Sequence, residues 1–109
     1  MLEVYTSQYR YSGDDRIDTT VKTSDGVFAP TWNMVMKHKK KQITDEQYIR
    51  QYYQLMQESY INNHSVWEDI LQRERITFVC FCKAGDFCHR KVLAKIFQKQ
   101  LGATYKGEI

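Results

Sequence analysis

Five side chains able to do chemistry fall within one short stretch: Cys80, Cys82, Cys88, His89 and Arg90. A thiol beside an imidazole and a guanidinium can lose its proton and become a nucleophile. Three thiols and an imidazole can hold zinc. A guanidinium at a helix start can bind a phosphate or carboxylate through two parallel hydrogen bonds. The surrounding pattern places all five. Residues 76–82 are an apolar β-type run, a short polar stretch follows, and helical periodicity begins near Phe87. The result is a strand–loop–helix corner, and open α/β sheets bind ligands at the carboxyl ends of their strands.

Spacing weighs these chemistries against one another. Seven residues separate Cys82 from Arg90 and one separates Cys88 from it, and neither interval makes the Cys-to-Arg phosphate loop of thiol phosphatases. Other thiol chemistry at Cys88 or Cys82 stays open, with His89 as the proton carrier. Zinc is disfavoured: Cys80 and Cys82 are two apart on a strand, and Cys80 sits in an apolar run, the setting of an inert core cysteine. The expectation is therefore no metal. The favoured chemistry is anion binding. Free N–H groups and the helix dipole near Phe87, Cys88 and His89 attract negative charge, and Arg90 adds a planar partner. The competing structural role for Arg90 is a salt bridge.

Other elements must bring further groups to this corner. Residues 2–6 read as a strand, and the loop after it offers Tyr9, Arg10, Tyr11 and Ser12. Residues 17–22 carry Ile17, Thr19, Thr20 and Val21 and read as a second strand, with Asp18 as a polar contact. A turn at residues 23–26 and the single proline, Pro30, lead to a helix over residues 31–39. Thr44 with Gln47 forms a capping box that opens a helix to Asn62. Tyr48, Tyr52, Leu55, Met56 and Ser59 share one face of it. Ser65 is expected to cap a third helix bearing Trp67, and Trp32 and Trp67 are both expected in the core. His38 and His64 are expected to face solvent. The last helix spans residues 88–101 and stops at Gly102. Residues 103–109 form an edge strand or a cover over the site.

The order of strand, strand, helices, strand and helix predicts one α/β domain over residues 1–109. The expected architecture is a small Rossmann-like fold, its short, mostly parallel sheet flanked by helices. The chain has 109 residues and a formal charge of +3, too mild for a general nucleic-acid binder. Its basic run at residues 37–41 reads as a solvated helix end. No apolar stretch approaches the ~18 residues of a membrane span, and no signal peptide opens the chain, so a cytoplasmic location is expected. Three cysteines, an odd number, argue against a disulfide framework.

Residues 76–94, with their Cys88-His89-Arg90 helix start, resemble the signature end of the domain of unknown function 488 family of small bacterial and phage α/β proteins. The segment from Phe28 to Trp32, the helix from Tyr48 to Ser59, Trp67 and the closing residues 102–108 resemble a phage-type subgroup. The resemblance implies a compact Rossmann-like fold and a pocket near the Cys-His-Arg corner, with no assigned activity and no known cofactor. Together these readings predict a phosphate-bearing ligand, a nucleotide or nucleic acid. Arg90, Cys82, Asp18 and the Phe87 backbone would hold it with Tyr9, Arg10, Tyr11 and Ser12, and a nucleotide-processing reaction at His89 and Cys88 is possible chemistry. The alternative is a non-enzymatic phage or bacterial protein that binds a host protein through an apolar patch, to which Tyr48, Tyr52, Tyr53 and Tyr60 would contribute.

Overall fold

The computed structural model describes residues 1–82 and 87–109. The polar stretch expected between Cys82 and Phe87 therefore lies outside the described residues at 83–86. The rest forms an α/β fold: β1 (Glu3–Gln8), β2 (Arg16–Asp18), α1 (Trp32–Lys39), α2 (Asp45–Asn62), α3 (His64–Leu71), β3 (Arg75–Cys80), α4 (His89–Leu101) and β4 (Thr104–Glu108). The four strands pair in the order β2-β3-β1-β4, all parallel. No helix among the described residues is long and apolar enough to cross a membrane.

β3 lies between two partners, and its last five residues are all buried. That burial explains its continuous apolar composition, since a strand covered on both faces has no polar side to show. Val4 of β1 is in register with Ile76 of β3, so the two share a face of the sheet. Both join Phe78, Tyr52, Met56, Trp67, Leu93 and Phe97 in one core. Aromatic contacts knit this core: Trp67 stacks on Phe97 at 5.1 Å, and Phe28 tilts against Trp67 at 4.9 Å. Two buried hydroxyls tie the segment before α1 to α2, Tyr52 Oη donating to the Phe28 carbonyl and Ser59 Oγ to that of Val27.

Local signals account for most of the boundaries. Thr44 accepts from the Gln47 N–H, while the Gln47 side chain accepts from the Thr44 N–H, completing the capping box. Gly102 closes α4 in the left-handed region at φ 77°. The closing residues form β4, an edge strand beside β1.

Three expectations change. The second strand is only Arg16–Asp18, because the Asp18 carboxylate accepts from the Thr20 N–H and from the Thr20 and Thr23 hydroxyls. Such local side-chain bonds compete with the strand ladder and turn the chain. Ser65 does not cap α3. Asn63 both closes α2, donating to the Ser59 carbonyl, and starts α3, its own carbonyl accepting from Val66 and Trp67. β3 stops at Cys80, so Cys82 lies beyond the strand and Cys80 is its final residue.

Candidate functional site

At the carboxyl end of β3 a cavity of about 200 Å³ opens between α1, the segment after β2 and the start of α4. Its floor contains Cys80, Cys82, Cys88 and His89. Its walls are apolar or aromatic: Pro30, Trp32, Val35, Tyr48, Phe81 and Phe87. Lys22 and Lys39, both exposed, stand at the rim beside Thr20 and His38.

Two of these aromatics present their faces to solvent. Trp32 is 54% exposed and Phe81 is 57% exposed. Trp32 is therefore not the core residue that its helical setting suggested; it is the first residue of α1, where the helix runs past the cavity. Trp67, at 1% exposed, is core as expected. Tyr9 stacks on Phe81, with ring centroids 4.3 Å apart, and the Arg16 guanidinium lies over the Tyr9 ring at 4.4 Å. The Tyr9 hydroxyl donates to Thr23. Tyr9 thus reaches the corner indirectly, as a brace.

His38 is also different from expectation. It is half-buried in the cavity wall, with Nε2 2.6 Å from Asp45 and its ring 4.7 Å from Phe87. Phe87 meets Tyr48 edge-on at 5.2 Å. Burial first, and then the charge of Cys82, push the Tyr48 hydroxyl pKa up, so Tyr48 is neutral at pH 7.

Cys88 is the N-cap position of α4; its side chain makes no cap hydrogen bond, and the first turn of α4 carries no acidic residue. His89 is the first helical residue and is buried. Its Nε2 lies 2.8 Å from the Thr19 carbonyl and 3.0 Å from Thr19 Oγ1, and Nδ1 lies 3.8 Å from Cys88 Sγ. Burial drives the His89 pKa down to about 4 against the raising effect of the Thr19 carbonyl, so the ring is neutral near pH 7.

Arg90 does not face the cavity. It is fully buried, and Nε and Nη2 donate to Glu108 at 3.2 and 2.7 Å. Nη1 donates to Cys80 Sγ at 2.8 Å and to the Cys82 carbonyl at 3.0 Å. The guanidinium is thus engaged as the salt bridge that stood as its competing role. Burial alone would raise the Glu108 carboxyl; hydrogen bonds from Arg90 and Thr6 and the Arg90 charge outweigh it and hold the pKa below the usual range.

The remaining expected residues divide between places. Arg10, Tyr11 and Ser12 line a separate surface depression with Ser7, Gln8 and Ile109 and do not join the cavity. Tyr11 donates to Asp15 at 2.7 Å. Asp18 holds the turn described above; burial pushes its carboxyl up, but bonds from Thr23 and Thr20 and the Arg16 charge hold its pKa low. Tyr48 and Tyr52 are buried, which removes two of the four tyrosines from any exposed patch, while Tyr53 and Tyr60 line a groove beside α2.

The sulfurs of Cys80 and Cys88 are in contact, and the three cysteine sulfurs all lie within 4.8 Å of one another. The odd count and the strand spacing had argued against both pairing and clustering. The strand's end at Cys80 removes the second objection, because the alternation rule no longer binds Cys82. The sequence reading missed Trp32, Phe81, Lys22 and Lys39 as site residues. Their signal was faint: an aromatic just after Pro30, another just past the apolar run, and two ordinary lysines.

No curated protein and no solved structure matches the chain. Residues 2–101 match the family model of DUF488-N3a, described as the active DUF488-N3 subclade, so the chain whose strand ends in this cysteine–histidine–arginine corner belongs to the DUF488 family.

Proposed function

We propose that the cavity binds a small phosphate-bearing ligand of the nucleotide class. The observation that carries this reading is the meeting of two exposed aromatic faces, the start of α4 and two rim lysines in one cavity. A planar ring stacks on Trp32 or Phe81, which is favourable for any base because every base has a π-face. A phosphate sits by the first N–H groups of α4, where the helix dipole favours negative charge, and Lys22 and Lys39 neutralise it. Arg90 acts through position, holding the Cys82 segment and α4 together. The cavity, about 200 Å³, is below the ~300–1,000 Å³ of drug-sized sites, which favours a ligand with a single ring.

A reaction on the bound ligand is a second reading, favoured by the description of the matched subclade as active. In that case Cys82 or Cys88 supplies the nucleophile and neutral His89 the proton acceptor.

A thermal-shift screen of nucleoside monophosphates and their parent nucleosides tests binding. Nucleotides should raise the melting temperature and quench Trp32 emission, and nucleosides should do so less. Lys22→Glu with Lys39→Glu should remove the phosphate advantage, and Trp32→Ala should remove most of the shift. If no nucleotide moves either signal and a pull-down returns one stoichiometric protein, the host-protein alternative replaces this reading.

A further inference from the structure

The three cysteines are more than cavity floor. We infer that Cys80, Cys82 and Cys88 hold a thiophilic divalent ion of the zinc class, with His89 Nδ1 as the fourth ligand, as a staple between the end of β3 and the start of α4. This inference does not rest on nucleotide binding, and it excludes the thiol nucleophile of the second reading.

Sulfur convergence is the first ground. All three sulfurs lie within 4.8 Å of one another, and thiolates ~2.3 Å from a common tetrahedral zinc would be ~4 Å apart. A disulfide between Cys80 and Cys88 suits the backbone poorly. Their Cα atoms are 7.9 Å apart, beyond the ~4.4–6.8 Å that disulfides span.

The groups around the sulfurs point the same way. The fully buried Arg90 guanidinium donates to Cys80 Sγ at 2.8 Å. A charged donor spent on sulfur fits a thiolate rather than a neutral thiol, and zinc binds thiolates.

His89 has the arrangement of a metal-bound imidazole. The Thr19 carbonyl can only accept, and Thr19 Oγ1 already donates to the Val79 carbonyl at 2.8 Å. Both groups therefore require a proton on Nε2. In the neutral ring this leaves the Nδ1 lone pair on the side of Cys88 Sγ, 3.8 Å away. A ligand histidine whose other nitrogen donates to a backbone carbonyl is the usual outer-shell pattern of zinc sites. Three thiolates and one imidazole are a closed set, which makes the site structural.

Metal analysis of protein purified under reducing conditions tests this directly. Stoichiometric zinc is expected, with the cysteines slow to react with a thiol reagent until a chelator is added. Cobalt(II) should give the strong visible absorption and sulfur charge-transfer bands of a tetrahedral thiolate site. Cys82→Ser separates the rivals. It should abolish tight metal binding and chelator-sensitive melting if the ion is held by all three sulfurs, and should change neither metal content nor melting if Cys80 and Cys88 form a disulfide. His89→Gln should keep cobalt bound but shift its spectrum. The inference is overturned if the wild-type protein carries no metal, gives no cobalt spectrum and shows Cys80 joined to Cys88 by non-reducing mass spectrometry, or if its three thiols react freely with and without chelator.

Discussion

Arg90 and Glu108 form a two-pronged ion pair, with N–O distances of 2.7 and 3.2 Å, between a fully buried guanidinium and the last residue of β4. The pair fastens the edge strand to the first turn of α4. From the same guanidinium, bonds run to Cys80 Sγ and the Cys82 carbonyl. One cation thus joins three segments that the β3–α4–β4 path would otherwise leave to packing.

Arg90 is fully buried and Glu108 only partly so, and removing the carboxylate strands the buried guanidinium. Glu108→Ala should therefore destabilise the protein by about 3 kcal/mol or more, since the Arg90 charge stays buried without its carboxylate. Chemical denaturation measures this. Glu108→Gln should recover part of the loss by keeping an acceptor. A cost under ~0.5 kcal/mol for Glu108→Ala would show that the pair contributes little beyond neighbouring contacts.

The two tryptophans should respond oppositely to truncation. Trp67 is buried, stacked on Phe97 and donating to Ser59 Oγ at 3.2 Å, so Trp67→Ala should cost about 3–5 kcal/mol. Trp32 is half-exposed at the cavity, and Trp32→Ala should change stability by no more than ~0.5 kcal/mol. A large loss at Trp32 would mean that its face is packed and not open to a ligand.

Much of this architecture was legible because its determinants are local. The Thr44–Gln47 box, the stop at Gly102 and the apolar run of β3 each depend on residues within a few positions. What was misread depends on distant partners. Arg90 looked available because Glu108 lies 18 positions away and reaches it only once β4 joins the sheet. Tyr9 and Phe81, far apart in sequence, stack because β1 and β3 are neighbours. The second strand was over-extended for a different reason: Thr19, Thr20 and Val21 favour strands by propensity, and the Asp18 side chain overrides them by hydrogen-bonding the next residues.

The helix α2 should be sensitive to its cap. Thr44 Oγ1 accepts from the Gln47 N–H at 3.1 Å, and the reciprocal bond is 2.8 Å. Thr44→Ala should cost about 1 kcal/mol, while Thr44→Ser should be nearly neutral. Equal losses for both would place the effect in the threonine methyl rather than in the cap.

Acid sensitivity should centre on Asp15. Its carboxylate accepts from Thr77 at 2.6 Å, Tyr11 at 2.7 Å and Arg75 at 2.9 Å. Burial alone would raise the pKa, but these bonds outweigh it and hold the group below its ordinary value of 3.8. The unfolded chain therefore binds the Asp15 proton at a higher pH than the folded chain does. The resulting stabilisation is complete above the ordinary value and is lost as pH falls below it through the lower folded value. Denaturation curves of the wild type and Asp15→Asn should differ most near neutral pH and converge as the solution is acidified. A difference that stays constant down to pH ~2 would show that the Asp15 carboxylate is not held in its charged form by Thr77, Tyr11 and Arg75.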